Sequence, residues 1–267
     1  MRLIRSLTWR LRRLLGLRER HGYSFRPAPS IRSQAMTFEF RNRELRVFAG
    51  YSTPLYETIA EVVDYDCYQL GQLLPNALEN TTLIDVGANV GVTTLCLAQF
   101  PRCRVVSFEP DPDNCARLEA NVRENEASNV TVVRKAVSGS CGTGLLVRPA
   151  HEDVGCRLTN GDDVGIAESV IEVPTIDLAG ALALVSGAIG LAKIDCEGAE
   201  HDIVGQITPE VAGRLPRLTF EVHDQGKGRN HTSISDRLER LGYSLTFRPD
   251  PFGRLSLTHL LAERRGV

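Results

Sequence analysis

The residues of this chain best suited to chemistry begin with a short run of acid, glycine and amide side chains. Asp85, Gly87, Asn89 and Gly91 occupy every second position at the end of an apolar segment. Glycines at the end of a buried strand expose backbone N–H groups to a nucleotide-like ligand. Glu109 ends the next apolar segment, and a carboxylate there can accept both hydroxyl groups of a ribose. The two segments predict a binding site for a nucleoside-bearing cofactor.

The spacing of the glycines selects among such cofactors. Dinucleotide enzymes use a G-x-G-x-x-G pattern that brings a pyrophosphate against a helix N-terminus. This chain has a G-x-x-x-G spacing preceded by Asp85, and an acid repels a pyrophosphate but attracts a cationic ligand. The pattern therefore predicts S-adenosylmethionine, which carries an ammonium and a sulfonium group, with its adenine beside the backbone of Ala136. The other residues expected to bind it here are Asp85, Gly87, Asn89, Gly91 and Glu109.

A second group of polar residues lies at the ends of two later apolar segments. Asp195 and Glu197 follow the segment 191–194, and His223 follows the segment 217–222. A general base helps to methylate a hydroxyl group, and His223 is the first candidate because an imidazole titrates near neutral pH. Asp195 and Glu197 are the next candidates, as the base or as ligands of acceptor hydroxyl groups. Asp195 is also expected to contact the cofactor. Asp195, Glu197, Glu221 and His223 could together form a metal site, but none is predicted because the spacing matches no defined ligand motif.

The elements that must position these residues alternate between strands and helices from residue 81 onward. Such alternation is typical of a doubly wound α/β fold, a mostly parallel sheet with helices on both faces. Residues 144–147 and 170–173 are predicted as strands around a polar loop. The last two strands, 243–247 and 256–262, are joined by a turn too short for a parallel crossover. We therefore predict a Rossmann-like, mostly parallel sheet with a C-terminal antiparallel hairpin strand.

Charge and composition divide the chain into three predicted parts. The 267 residues carry a net charge of −2, yet seven arginines fall within residues 1–20. Residues 1–33 are expected to form a basic amphipathic leader and linker, with peripheral membrane contact through residues 1–20. Residues 34–80 are predicted as a hairpin and helices that cap the core, and residues 81–267 as the cofactor-binding domain. The body outside the leader is mildly acidic, so we do not expect nucleic-acid binding.

The number and spacing of the cysteines indicate whether the protein is in a reducing or an oxidising compartment. Their number, seven, is odd, and no C-x-x-C pair occurs. This usage is typical of reduced thiols, so we expect a cytoplasmic protein, with membrane association through the leader as a further expectation.

Six segments, taken in order, resemble the FkbM-family methyltransferases. They are IDVGANVG, SFEPDPDN, Asn121 to Asn125, VPTIDLAG, KIDCEGAEHDIVG and LTFEVHD, and they fall within residues 81–247. The resemblance implies a Rossmann-like fold of the class I methyltransferase type and S-adenosylmethionine as the methyl donor. It also implies O-methylation of a small-molecule or glycan acceptor, often at a sugar hydroxyl group in a glycan or natural product. Cys196 stands where the family more often has a β-branched residue.

Two other functions stay open at this point. An NAD-type oxidoreductase shares the predicted fold, although the third glycine of its pattern is missing here. A non-catalytic module could keep the fold for cofactor binding alone. The intact Asp85, Gly87, Gly91 and Glu109 favour cofactor binding but do not separate a binding module from an enzyme.

Overall fold

The computed structural model describes residues 24–27, 33–50, 55–73, 78–148, 155–159, 169–226 and 228–265. The basic leader predicted at residues 1–20 lies outside these ranges. Within the described ranges, no helix is both long and apolar enough to cross a lipid bilayer. All seven cysteines belong to the described residues and are free thiols.

The N-terminal part forms a small antiparallel sheet followed by a distorted helix. Its strands are β1 (Ser24–Pro27), β2 (Ser33–Phe40) and β3 (Arg43–Gly50), in that spatial order. Arg41 and Asn42 turn the chain between β2 and β3 with φ angles of 52° and 61°, as a two-residue hairpin turn requires. Helix α1 (Leu55–Ile59) continues as a π-helical turn, Ala60–Asp64, and a 3₁₀ turn follows at Leu70–Gln72.

Strands and helices alternate through the rest of the chain. The strands are β4 (Thr82–Val86), β5 (Arg104–Phe108), β6 (Val130–Val133), β7 (Ala136–Val137), β8 (Gly142–Arg148), β9 (Arg157–Thr159), β10 (Ser169–Ile176), β11 (Ile189–Ile194), β12 (Arg217–His223), β13 (Tyr243–Pro249) and β14 (Leu257–Arg264). The helices are α2 (Val92–Leu97), α3 (Pro112–Glu124), α4 (Leu178–Ala183), α5 (Glu200–Gly205), α6 (Pro209–Arg214) and α7 (His231–Arg240).

Seven of these strands form the central sheet in the order β13-β14-β12-β11-β4-β5-β6. Strands β12, β11, β4, β5 and β6 pair in parallel, whereas β14 pairs antiparallel with both β12 and β13. The predicted mostly parallel sheet with an antiparallel C-terminal strand is therefore confirmed. The antiparallel strand lies inside the sheet and β13 forms its edge. Burial explains this order, because Leu260 and Ala262 of β14 are fully buried while Phe247 of β13 is 49% exposed.

Helices cover both faces of the sheet, so the predicted doubly wound arrangement is also confirmed. Successive residues of a strand point to opposite faces, and each face has its own apolar core. One core joins strand residues to helices α4, α5 and α7 through Ile84, Val106, Ile194, Leu178, Ile203 and Ile234. The other joins strand residues to α2 and the N-terminal part through Leu83, Val105, Leu191, Leu95, Phe38 and Leu55.

A second sheet interrupts the alternation after β6. Its four strands lie in the order β7-β10-β8-β9, and β8 pairs antiparallel with β10. These two strands include the predicted strand segments 144–147 and 170–173. Leu146 and Val173 pack together in its small core beside Ala136. Through Ala136, this insertion is joined to the carboxyl end of the central sheet.

Asn121 of α3 and Asn125, which directly follows this helix, hold the N-terminal hairpin against the core. The side chain of Asn121 accepts the N–H of Phe48 at 2.8 Å and donates to its carbonyl oxygen at 2.9 Å. Asn125 makes the same pair of bonds with Arg46, at 2.8 and 2.6 Å. Each amide side chain thus satisfies both backbone groups of one β3 residue, as a neighbouring strand would.

Candidate active site

A cavity of about 430 Å³ opens at the carboxyl ends of β4, β5, β11 and β12. This edge is where ligands bind in doubly wound sheets. Six of the predicted site residues line the cavity, namely Gly87, Asn89, Glu109, Ala136, Asp195 and Glu197. The other three predicted residues, Asp85, Gly91 and His223, do not line it.

The two glycines allow close approaches that no other residue would permit. Gly87 has a φ of +76°, and a Cβ atom there would overlap the carbonyl oxygen of Asp195. Gly91 has a φ of +98°, and its Cβ would press on Leu118 of α3. Both positions therefore need glycine for backbone conformation and for space. The turn between β4 and α2 is held tightly against β11 on one side and α3 on the other.

Glu109 is anchored at the end of β5 by backbone N–H groups. Its Oε2 accepts the N–H of Asn89 at 2.7 Å, and its Oε1 accepts the N–H of Asp111 at 2.9 Å. Burial raises the pKa of Glu109 to about 7, although the hydrogen bonds from Asp111 and Asn89 oppose this rise. Because a carboxylate oxygen can accept two hydrogen bonds, each oxygen keeps capacity for a ligand hydroxyl. Gly87, Asn89 and Glu109 are called the glycine wall below.

Asp85 does not contact the cavity, which corrects the prediction that it binds the cofactor directly. Its side chain is fully buried, accepts a hydrogen bond from Thr94 at 2.6 Å, and lies 3.3 Å from Nζ of Lys193. Lys193 does line the cavity and was missed in the sequence. A lysine two residues before Asp195, in an otherwise apolar strand, was the available signal. Asp85 therefore affects the cavity through its ion pair with Lys193.

Lys193 joins the ends of the two central strands, β4 and β11. Its Nζ lies 3.2 Å from Oδ2 of Asp195 and donates to the carbonyl oxygen of Gly87 at 2.9 Å. Burial alone would lower the pKa of Lys193, but the charges of Asp195 and Asp85 raise it well above its ordinary value. The lysine is therefore a permanent cation inside the sheet.

Asp195 is held as a carboxylate in the cavity wall. Its Oδ2 accepts the phenolic proton of Tyr68 at 2.8 Å, in addition to facing Lys193. Burial would raise the pKa of Asp195, but the charges of Lys193 and His223 and the bond from Tyr68 bring it below its usual value. At neutral pH Asp195 is ionised and can accept a hydrogen bond or a proton.

His223 is a cation, which opposes the predicted role of a neutral base. Its Nε2 lies 3.1 Å from Glu197, and its Nδ1 lies 3.3 Å from Glu200, so both ring nitrogens face carboxylates and both must donate. Burial alone would lower the pKa of His223, but hydrogen bonds to Glu197 and Glu200 raise it to about 12. A protonated imidazole cannot take a proton from an acceptor. Of the predicted bases, Asp195 and Glu197 are left.

The acids around His223 also bear on metal binding. Donor atoms of Asp195, Glu200 and His223 lie within 4.8 Å of one another, close enough to surround a cation. Glu200, however, already accepts the N–H groups of Cys196 at 2.7 Å and of Gly198 at 2.9 Å. These backbone contacts hold the carboxylate of Glu200 in place within the cluster, and the absence of a metal site stays a prediction.

The match to a family model covers more than half of the chain. Residues 85–245 match the Methyltransferase FkbM domain. The chain belongs to the FkbM methyltransferase family. The matched segment contains the glycine wall, Lys193, Asp195 and His223.

Two curated proteins show how this FkbM-family chain compares with its relatives. It is 28% identical over 212 residues to 31-O-demethyl-FK506 methyltransferase FkbM of Streptomyces tacrolimicus, covering 68% of this chain and 80% of that protein. It is 27% identical over 224 residues to the AMB antimetabolite synthetase AmbE of Pseudomonas aeruginosa, covering 64% of this chain. The alignment spans only 10% of AmbE.

Solved structures show more distant similarity. Methyltransferase FkbM from Methylobacillus flagellatus aligns with a TM-score of 0.46 and 16% identity, over 78% of this chain and 53% of that chain. A 16S rRNA methyltransferase (RsmC) from T. thermophilus aligns with a TM-score of 0.49 and 14% identity, over 90% of this chain and 52% of that chain. The chain is assigned to the family because residues 85–245 match the family model, and these structural alignments do not contribute to the assignment.

Part of the cavity is built from residues outside the matched segment. Glu61 of the π-helical turn, Tyr68 and Arg254 line the cavity together with Glu221 of β12. We call these four residues the acidic wall. Arg254 forms an ion pair with Glu61, and its Nε donates to Asp250 at 2.9 Å.

Among the members of the acidic wall, the sequence indicated only Glu221, as a residue that could ligate a metal. The members of this wall lie as far apart as residues 61 and 254, and no local spacing connects them. Glu221 alone had a signal, because it lies two residues before His223 at the end of an apolar strand.

Proposed function

We propose that this FkbM-family protein is an S-adenosylmethionine-dependent O-methyltransferase that acts on a hydroxyl group of a sugar, glycan or natural product. The observation that carries the proposal is a single cavity lined by both Glu109 and Asp195. Glu109 is positioned to accept ribose hydroxyl groups, and Asp195 is an ionised group suited to an acceptor hydroxyl. The Streptomyces relative is named for methylation of 31-O-demethyl-FK506, which supports an oxygen acceptor.

The charge of the cavity supports a cationic methyl donor over a dinucleotide. Seven acidic and five basic side chains line the cavity. Burial raises the pKa of Glu61 to about 8, so Glu61 adds little negative charge at neutral pH, whereas Asp195 is ionised. An ionised carboxylate in the cavity suits a ligand with an ammonium and a sulfonium group and disfavours a pyrophosphate. Glu109 holds the ribose, and Ala136 borders the adenine.

Asp195 has the central role in the reaction. When bound, S-adenosylmethionine supplies a methyl group on a positively charged sulfur that an oxygen nucleophile can attack. Asp195 accepts a hydrogen bond from the acceptor hydroxyl, which orients its oxygen, and takes the proton as the oxygen is methylated. Lys193 and Tyr68 hold the carboxylate of Asp195 in place. His223 pairs with Glu197, so Glu197 is less available as the base.

Calorimetry with S-adenosylmethionine, S-adenosylhomocysteine and NADH tests the cofactor. We expect the first two ligands to bind and NADH to give no heat of binding. If folded protein fails to bind either adenosyl ligand at high micromolar concentration, the proposed function is overturned. Tight binding of NADH alone would establish the oxidoreductase alternative.

A matched pair of variants tests the glycine wall. Glu109→Ala should weaken S-adenosylhomocysteine binding at least tenfold, because hydrogen bonds to a charged group contribute about 1.5–3 kcal/mol each. Glu239→Ala removes an exposed carboxylate of α7 and should leave the affinity unchanged. Equal affinities in the two variants would remove Glu109 from the cofactor site.

Transfer of a labelled methyl group to a panel of sugars, glycans and hydroxylated natural products tests the acceptor. We expect a product whose new methyl carbon has the NMR shift of a methyl ether. A methylated nitrogen would contradict O-methylation while leaving methyl transfer intact. Cofactor binding without transfer to any member of the panel would favour the non-catalytic module.

A further inference from the structure

Tyr68 connects two acids that end neighbouring strands of the sheet. It is 3% exposed, and its Oη lies 2.8 Å from Oδ2 of Asp195 and 3.2 Å from Oε2 of Glu221. It lies outside the segment that matches the family model. A phenol has only one proton to donate, so it can bond fully to one of these carboxylates at a time.

Each of the two acids has a second partner besides Tyr68. Asp195 faces Nζ of Lys193 at 3.2 Å, and Glu221 faces Nε2 of the fully buried His259 at 3.1 Å. Either carboxylate therefore keeps a hydrogen-bonding partner when the phenolic proton points to the other. The phenolic proton of Tyr68 can therefore point either to Asp195 or to Glu221.

Packing fixes the ring of Tyr68 independently of its hydroxyl group. The ring of His259 meets it edge-on, with centroids 5.8 Å apart and planes at 73°. Nζ of Lys193 lies 5.4 Å from the ring centroid on its face. Rotation of the O–H bond alone can thus move the proton between Asp195 and Glu221 while the ring stays in place.

We propose that Tyr68 is a positioning residue for proton removal, which donates to Asp195 in the resting enzyme and to Glu221 once Asp195 is protonated. The inference rests on the proposed function. The acceptor's O–H bond breaks as its oxygen gains the methyl group, and the proton goes to Asp195. Tyr68 keeps its own O–H bond throughout and changes only its hydrogen-bond partner. Asp195 returns the proton to water when the product leaves.

The ionisation of Asp195 in the ligand-free protein gives the first test. The charges that lower its pKa are those of Lys193 and His223, and the carboxyl groups of Glu61 and Glu221 line the same cavity. Tyr68→Phe keeps the ring and leaves all of them in place. We expect Asp195 to titrate about one pH unit higher in this variant, because a hydrogen bond to a charged group is lost. Carbon-13 NMR of carboxyl-labelled aspartate measures this, with Asp195→Asn used to assign the signal.

Tyr243→Phe is the matched control. Tyr243 is also a buried phenol, but it donates to the carbonyl oxygen of Leu215 at 2.7 Å, away from the cavity. This variant should leave the titration of Asp195 unchanged. An unchanged titration in Tyr68→Phe as well would overturn the proposal.

The neutron crystal structure of Asp195→Asn tests the second position of the proton. A neutral side chain at position 195 imitates the protonated aspartate. We expect the phenolic deuteron of Tyr68 to point to Oε2 of Glu221, with Oη little displaced. A deuteron that points to residue 195 would contradict the change of partner.

Calorimetry and turnover separate this inference from the proposed function. Failure of the wild-type protein to bind S-adenosylhomocysteine would refute the methyltransferase function, whereas the titration and the crystal structure need no cofactor. With the acceptor identified by the panel, Tyr68→Phe should lower kcat about tenfold at unchanged S-adenosylhomocysteine affinity. A loss of affinity with unchanged kcat would make Tyr68 a binding residue and overturn the positioning role.

Discussion

The glycine wall and the acidic wall of the cavity are constructed in opposite ways. The glycine wall comes from residues 87–109, one short stretch of chain, and its main contacts are backbone N–H groups and tight turns. The acidic wall brings together residues 61–68, 221 and 254, and its contacts are ion pairs and hydrogen bonds between side chains. The first wall is local and mostly backbone, and the second is long-range and mostly side chain.

The two walls therefore differ in the substitutions that they tolerate. A wall built on backbone geometry tolerates few substitutions, because a side chain at Gly87 would collide with Asp195. A wall built on side-chain contacts can change its chemistry without moving a strand. The proposed function assigns the methyl donor to the glycine wall, whereas it assigns the acceptor hydroxyl to Asp195, which Tyr68 of the acidic wall holds in place.

Lys193→Met should have the largest effect, because Lys193 is the contact between the two walls. Removing its charge takes the counterion from the buried Asp85 and leaves Asp195 with the charge of His223 alone, and breaking a buried ion pair typically destabilises a protein by about 3–5 kcal/mol. Urea unfolding measures the loss. Lys135→Met, which alters another cavity lysine, should change stability by no more than about 0.5 kcal/mol. Equal effects would mean that the walls are not joined through Lys193.

The pH dependence of cofactor binding should have an intermediate effect that belongs to the glycine wall. Only ionised Glu109 offers both oxygens to a ribose, and its pKa is about 7. S-adenosylhomocysteine affinity should therefore rise about tenfold from pH 6 to pH 8 and then level off. Calorimetry measures the rise, and Glu109→Gln should abolish it. A pH-independent affinity in the unaltered protein would show that Glu109 does not change its ionisation on binding.

The smallest effect should be that of pH on the charge of His223, which should not change across the neutral range. With a pKa of about 12 it stays protonated from pH 6 to pH 9. Its pairing with Glu197 and Glu200 contributes stability that is fully present below pH 6.5 and is lost as the pH rises toward 12. Histidine NMR shifts, assigned with His223→Gln, provide the measurement. A midpoint below pH 8 would restore His223 as a candidate neutral base.

Local patterns in the sequence predicted the fold and the glycine wall. The parallel sheet was predicted from apolar segments that alternate with helical segments. The antiparallel direction of β14 was predicted from the short turn before it. Its position inside the sheet depended on the burial of Leu260 and Ala262, which no spacing reveals. Asp85 was predicted as a ligand contact because the sequence does not show that Lys193 lies between it and the cavity.

Long-range contacts account for what the sequence did not predict. His223 is a cation only because Glu197 and Glu200 approach both ring nitrogens. Tyr68 and Glu221 are 153 positions apart in the chain and meet only in the folded protein. A residue's ionisation and its partners across the sheet are properties of the assembled structure.

The amide clamps of Asn121 and Asn125 make the N-terminal hairpin inseparable from the helix that follows Glu109. If the hairpin detached, both side chains and the backbone of Arg46 and Phe48 would lose their partners together. The strands that precede Tyr68 and the helix beside the glycine wall therefore open as one cooperative unit. A ligand that protects one of them from hydrogen exchange protects the other.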